Sequence, residues 1–201
     1  YQEIVLPNLC YIGGGGEIAY WLELKNYFDK ARVTFPILLL RNSVQIISEK
    51  QQKKLASLKI SHQELFLKQQ ELLSKKVLEN TEIDIDFNCK INDLKKHFLE
   101  LKEVAKKTDV SFVGAVNAQE KKQIKGLENL QKRLLRAEKR RQKELVDRIT
   151  TLQNQLLPNQ SLEERQRNFS DYYLAYGPAF LDTLKAALKP LAHQFTIIEL
   201  S

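Results

Sequence analysis

Apolar positions change their spacing twice along this chain. In residues 1–48 they come in short runs. Ile4-Val5-Leu6 and Leu9-Cys10-Tyr11-Ile12 predict a buried strand. Ile18, Trp21, Leu22 and Leu24 then recur near a 3.6-residue period, which predicts a helix to about Phe28 or Asp29. Phe35-Pro36-Ile37-Leu38-Leu39-Leu40 is unbroken, as in a strand buried on both faces. Val44-Gln45-Ile46-Ile47 alternates less cleanly and predicts an edge strand. Strand, turn, helix, strand is the order of a βαβ unit in a doubly wound sheet.

From Glu49 the chain becomes rich in Lys, Gln, Leu and Glu, and the period turns helical. Ser61-His62-Gln63-Glu64 has the form of a capping box, opening a helix to about Leu78. Leu58, Leu65 and Leu72 are seven apart. Glu82 to Asn88 reads as a linker or lead-in. Ile91, Leu94, Phe98, Leu101 and Ala105 follow a heptad seam. A break near Asp109 to Val116 precedes a long helix, about Ala118 to Leu156, of nearly 60 Å at about 1.5 Å per residue. Leu127, Leu130, Leu134 and Ala137 keep heptad phase, and Glu138 to Glu144 interrupt it. Leu145, Ile149, Leu152 and Leu156 resume the seam with a stutter. Helices folding back as an antiparallel coiled-coil arm satisfy these seams most simply, although the seam could also meet another subunit.

Pro158-Asn159 ends the long helix. Ser161-Leu162-Glu163-Glu164 repeats the capping-box form ahead of a helix carrying Arg165, Asn168, Phe169, Tyr172 and Tyr173. Gly177-Pro178 breaks it, a further helix covers about Ala179 to Leu188, and Phe195 to Leu200 closes as a strand that rejoins the first sheet. The expected fold is α/β with a long helical insertion. Residues 1–48 form part of the core, 49–157 the arm, and 158–201 helices and a strand returning to the core.

The strand-to-helix turn Gly13-Gly14-Gly15-Gly16-Glu17 holds four of the seven glycines. Glycines let the backbone approach a ligand closely, and a helix opening behind them points free N–H groups into the same space. A tight turn with no ligand has about the same claim. No Gly-Lys-Ser/Thr follows, so this is not a phosphate loop of the Walker type, and Ile18 breaks a dinucleotide fingerprint. Glu17 reads as an acid favoured by the helix dipole, or as a group orienting a substrate amine. Arg41-Asn42-Ser43 follows a strand end, where α/β sheets place ligand groups, or forms an ordinary polar turn.

Bulk properties narrow the class. Charged residues are 28% and apolar residues 43%, and no apolar run approaches a membrane span. Cys10 and Cys89 make no metal spacing and no disulfide framework, which suits a reducing cytosol. Cys10 reads as a small buried hydrophobe. His62, His97 and His193 stand in separate contexts without a ligand pair. The absence of methionine and a start in mid-strand suggest a piece of a longer protein, missing its N-terminal part.

The net charge of +7 is matched by Lys121 to Arg148, where eleven Lys or Arg face four acids. A solvated helix face laced by pairs such as Glu128–Lys132 is the favoured reading over nucleic acid. No aromatic residue lies from Glu120 to Pro158, so base stacking has no support there.

These pieces, in this order, resemble the cysteine-adding enzyme family of bacillithiol biosynthesis, in its C-terminal portion. The resemblance rests on Leu6-Pro7-Asn8, the glycine turn with Glu17 to Leu22, and Phe35 to Ser43. It continues through Glu138-Lys139-Arg140, Leu157-Pro158-Asn159, Leu162 to Arg165, Asn168-Phe169, Tyr176 to Phe180 and Phe195 to Leu200. It covers essentially all 201 residues.

The resemblance implies a cytoplasmic bacterial ligase with a Rossmann-like core and a coiled-coil domain that can serve dimerisation. Its reaction would join L-cysteine to glucosaminyl malate by an amide bond. The means of activating cysteine stays open, with a nucleotide as one option, and this portion alone is expected to be inactive. The substrate-binding candidates are Gly13, Gly14, Gly15, Gly16, Glu17, Tyr20, Arg41 and Asn42. No catalytic residue and no metal ligand is assigned. A coiled-coil dimerisation scaffold is the alternative class, with a basic nucleic-acid-binding helical protein behind it.

Overall fold

Glycine and aromatic residues set the first supersecondary unit. In the computed structural model, which describes residues 1–108 and 110–200, a short helix α1 (Gln2–Val5) comes first. The parallel pair β1 (Cys10–Gly13) and β2 (Ile37–Leu40) follows, in register from Cys10 opposite Ile37 to Gly13 opposite Leu40. Helices α2 (Gly15–Glu23) and α3 (Lys25–Ala31) make the crossover, so the predicted βαβ order is present. Trp21 packs in an aromatic cluster, stacked on Tyr11 at 4.4 Å, with Phe28 and Phe35 meeting edge to face at 5.1 Å.

Two strand expectations need correction. Ile4-Val5-Leu6 is not a buried strand: Ile4 and Val5 sit in α1, Leu6 caps it, and Ile4 is 68% exposed. The run ending at Leu40 is not buried on both faces, because β1 and β2 pair only with each other and Ile37 stays 72% exposed. Cys10 likewise is exposed and not buried.

β3 (Ser43–Ser48) is the better-buried strand, with Gln45, Ile46 and Ile47 enclosed, and α4 (Glu49–Ser57) follows it directly. The helical part begins at α5 (His62–Leu65). Its capping box forms as predicted, with Glu64 N–H donating to Ser61 Oγ and Ser61 N–H to Glu64 Oε2. The helix ends after one turn, however, and a second, α6 (Gln69–Glu79), carries the seam on.

Next come α7 (Asn88–Ala105), α8 (Val110–Arg141) and α9 (Lys143–Leu156). Of the predicted break at 109–116, Asp109 lies outside the described residues, and α8 already runs from Val110. The long helix divides at Gln142, within the polar stretch that interrupts the seam. Single 3₁₀ turns at Pro158–Gln160 and Glu163–Arg165 lead to α10 (Ser170–Tyr176), α11 (Ala179–Ala187) and β4 (Phe195–Leu200).

The chain divides into two compact units, Tyr1–Ser57 with Gln155–Ser201, and Leu58–Asn154. In the first, β4 runs parallel to β3 from Phe195 opposite Ser43 to Leu200 opposite Ser48. The closing strand therefore joins β3, which is not an edge strand beside β2 but half of a second, separate sheet. Ile46, Ile198, Leu200 and Phe180 form its core, under Tyr172, Tyr176 and Leu184.

The second unit is held by leucine packing and by polar links at its margins. Leu58, Leu65 and Leu72, seven apart, are buried, as are Ile149 and Leu152 of the resumed seam, and Val77 joins them. Phe98, Ala105 and Val116 make a further core cluster where α7 packs on α8. Leu101, Leu130 and Ala137 depart from their predicted seams and are exposed. Gln69 bonds Asn154, Asn80 bonds Gln142, Thr81 bonds Glu138 and Lys102 pairs with Glu120. Lys76 is buried among Glu64, Glu79 and the Lys59 carbonyl.

Candidate functional site

The turn between β1 and α2 is closed by its own side chain. Glu17, the third residue after the cap at Gly14, accepts the Gly14 N–H at 2.7 Å through Oε2. This is the N-terminal capping role that the helix dipole favours. Gly13 and Gly14 are buried, while Gly15 and Gly16 are exposed. A Cβ on Gly13 would fall 2.8 Å from Tyr11 Cε1 and 3.0 Å from Glu17 Oε2, so the tight turn explains that glycine. A Cβ on Gly15 or Gly16 would meet nothing within 4 Å, and both residues stand in the first turn of α2, whose N–H groups have no intrahelical acceptor.

Gly14 has a different neighbourhood. A Cβ there would lie 2.7 Å from Arg165 Nη2 and 3.4 Å from Arg41 Nε and Nη2. Two guanidinium groups from distant parts of the sequence thus flank the first turn of α2. Arg41 is held by its backbone, since its N–H donates to the Gly13 carbonyl at 2.9 Å. Both side chains are exposed, and neither enters an ion pair among the described residues. Guanidinium forks and unsatisfied helix N–H groups both favour an oxyanion.

Arg165 reaches this position because its segment does not form the predicted helix cap. Leu162 has Arg165 and Gln166 at its i+3 and i+4 places, so no apolar stripe follows to stabilise a helix. The two acids reach β3 instead. Glu164 accepts from Ser43 Oγ at 3.1 Å and from Val44 N–H at 3.2 Å. Glu163 is buried, accepts from Gln45 Nε2 at 2.9 Å and pairs with Arg167 at 2.7 Å. Burial pushes the Glu163 carboxyl up, against the pull of Tyr172, Arg167 and Gln45. The same burial, with Glu163 beside it, raises the Tyr172 hydroxyl.

The structure therefore brings Gly14, Gly15, Gly16, Glu17 and Arg41 together and adds Arg165. It does not bring Asn42 to the group, because Asn42 Nδ2 donates to the Lys189 carbonyl at 3.1 Å. Tyr20 stands on α2 and is 61% exposed. Trp21 belongs to the aromatic core. Among the described residues, no cluster of His, Cys, Asp or Glu has metal-site geometry.

A βαβ unit with a glycine turn and two arginines, continued by a leucine-seamed helical unit, defines a Rossmann-like α/β segment joined to a coiled-coil domain. Comparison with known proteins agrees. Residues 1–42 match the N-terminal Rossmann-like domain of the bacillithiol biosynthesis protein BshC, and residues 44–200 match its C-terminal coiled-coil domain. The chain belongs to the BshC family.

Relatives named "Putative cysteine ligase BshC" include one from Christiangramia forsetii, 56% identical over 198 residues. Another, from Flavobacterium psychrophilum, is 57% identical over 199 residues. These alignments cover 98% and 99% of this chain but only 37% and 38% of the relatives. One from Bacillus cereus is 29% identical over 188 residues, covering 90% of this chain and 34% of the relative.

Proposed function

We propose that this chain is the coiled-coil-bearing portion of a ligase that joins L-cysteine to glucosaminyl malate by an amide bond, the cysteine-adding step of bacillithiol biosynthesis. Membership of the BshC family supports a role in that pathway. The observation that carries a binding site is the convergence of Arg41 and Arg165 on Gly14. The two forks and the free N–H groups of Gly15 and Gly16 would hold a carboxylate such as that of malate, or a phosphate if activation uses one. Glu17 spends one oxygen on the Gly14 N–H and can offer the other to an amine. Amide formation needs the amine and the activated carboxyl group fixed side by side, so positioning dominates.

A pure scaffold needs no two arginines at a glycine turn that make no ion pair among the described residues, which speaks against that alternative. The helical unit is proposed as an antiparallel coiled-coil arm serving a homodimer. Its cross-links run Gln69–Asn154, Asn80–Gln142 and Lys102–Glu120, one partner number falling as the other rises. Residues 1–48 and 158–201 are proposed to share one core, with 49–157 inserted. The protein is proposed to act in the cytoplasm, and no helix among the described residues is long and apolar enough to cross a membrane.

Thiol profiling of the source bacterium with and without the full-length gene tests the function. Loss of bacillithiol with build-up of glucosaminyl malate is expected, and unchanged bacillithiol would refute the assignment to this step.

A further inference from the structure

The outward side of α8 carries a dense run of like charge. From Lys121 to Arg141 nine Lys or Arg stand against two acids. One of those acids, Glu138, is buried and bonded to Thr81, Gln142 and Arg141. The other, Glu128, does not meet Lys132: the expected i,i+4 pair is absent. Lys122, Lys125, Lys132, Arg133, Arg136 and Arg140 are all exposed and enter no ion pair among the described residues.

These cations are not spread around the helix. At about 100° per residue, Lys125 and Lys132 fall in one row. Lys122, Arg133 and Arg140 fall in a second, roughly 80° away, with Arg136 between them. The packed side, marked by Glu138, lies roughly opposite. The rows extend for about 27 Å. Lys132–Arg136 and Arg136–Arg140 are like-charge i,i+4 neighbours, which repel on a bare helix. A partner that supplies anions to both rows removes that repulsion.

We propose that the outward face of α8 is a sequence-independent binding surface for duplex DNA. A helix about 10–12 Å across fits the major groove, whose two walls are lined by phosphates, one for each row of cations. The deep, narrow major groove of duplex RNA does not admit it. A flat bilayer meets one row at a time, and the two rows carry no apolar or aromatic side chain to insert, the exposed Leu130 lying to one side of them. The same lack of aromatic residues removes base stacking but leaves phosphate contact intact. The proposal does not depend on the ligase reading.

Fluorescence anisotropy with the 201-residue chain and a mixed-sequence 20-base-pair DNA tests it. Engagement of four to six phosphates predicts a loss of about 10²–10³-fold in affinity between 50 and 200 mM salt. Replacing Lys125, Arg133 and Arg136 together by Gln is expected to weaken binding by more than about tenfold and to reduce the salt slope by about three. Circular dichroism checks that the helices persist. If the triple variant loses them, Arg136→Gln alone is expected to reduce the slope by about one. Lys53→Gln, on α4, is expected to leave binding unchanged. No binding at 50 mM salt overturns the proposal, as does a folded α8 variant that binds like the wild type. So does binding to phosphatidylserine vesicles, polyglutamate or duplex RNA that is as tight as binding to DNA.

Discussion

Gln45 and Glu163, 118 positions apart, meet inside the first unit, where Gln45 Nε2 donates to Glu163 Oε2 at 2.9 Å. Both side chains are buried. Desolvation raises the Glu163 carboxyl above its ordinary value of 4.5, so the folded state holds its proton more tightly than the unfolded chain does. A raised carboxyl contributes stability below pH 4.5, and that contribution is lost as the pH rises through the folded-state value. Glu163→Gln removes this titration while keeping an acceptor for Tyr172. The thermal midpoint of the variant is expected to fall less than that of the wild type between pH 4.5 and 7.5. Parallel curves would show that Glu163 does not set the slope.

Glu64 gives the opposite sign. Its bonds to Lys75, to the Ser61 N–H and to Lys76 lower its pKa from 4.5 to about 2. The stability it adds is complete above pH 4.5 and is lost as the pH falls toward 2. Burial opposes the charge on Lys76, and Glu79 and Glu64 overcome it, holding that ammonium above its ordinary value. Lys76→Met takes one partner from Glu64, which keeps Lys75, and one from the half-exposed Glu79, and is expected to cost about 1–2 kcal/mol by urea unfolding. Glu64→Gln is expected to cost about 1–2 kcal/mol at neutral pH and almost nothing near pH 2.

Arg165 and Arg41 separate binding from folding. Both are exposed and neither enters an ion pair among the described residues, so their removal leaves no buried charge behind. If the proposed function holds, Arg165→Ala and Arg41→Ala in the full-length protein are each expected to raise KM for the proposed substrate, glucosaminyl malate, by about 10–100-fold, the value of a charge-assisted hydrogen bond. The thermal midpoint should move by no more than a degree or two. A variant with normal KM would remove that arginine from the site.

How much of this was legible in the sequence depends on whether the signal was local. The βαβ order, the Ser61–Glu64 cap and the breaks at Pro158 and Gly177 follow from turn and capping chemistry within a few residues, and all are present. Burial was less legible, because apolar content in Ile4 and Ile37 says what a residue would bury against, not whether that surface is in the chain. Strand partners were also hidden, since nothing in β3 alone distinguishes pairing with β2 from pairing with β4. Arg165 is hidden as a site residue because Ser161 to Glu164 matches a capping box, while the contacts that place the segment lie more than a hundred residues away: Ser43 and Val44 donate to Glu164, and Gly14 faces Arg165.

The glycines of the turn make the sharpest test, because the structure leaves no room for a side chain at Gly13 and Gly14 and open space at Gly15 and Gly16. Gly14 has no room: a Cβ would press on Arg165 Nη2 at 2.7 Å, and Gly14→Ala is expected to displace that arginine and weaken anion binding. Gly16 has room and lies inside the first turn of α2, where alanine orders a helix better than glycine does. Gly16→Ala is expected to stabilise the protein by about 0.5–1 kcal/mol. Its methyl group stands at the open mouth of the helix, however, where the proposed anion must approach. Stability and binding should therefore move in opposite directions, with a higher thermal midpoint and a KM raised several-fold in the full-length enzyme. If Gly16→Ala stabilises the fold and leaves KM untouched, the anion does not lie on this helix end, and the two arginines act elsewhere.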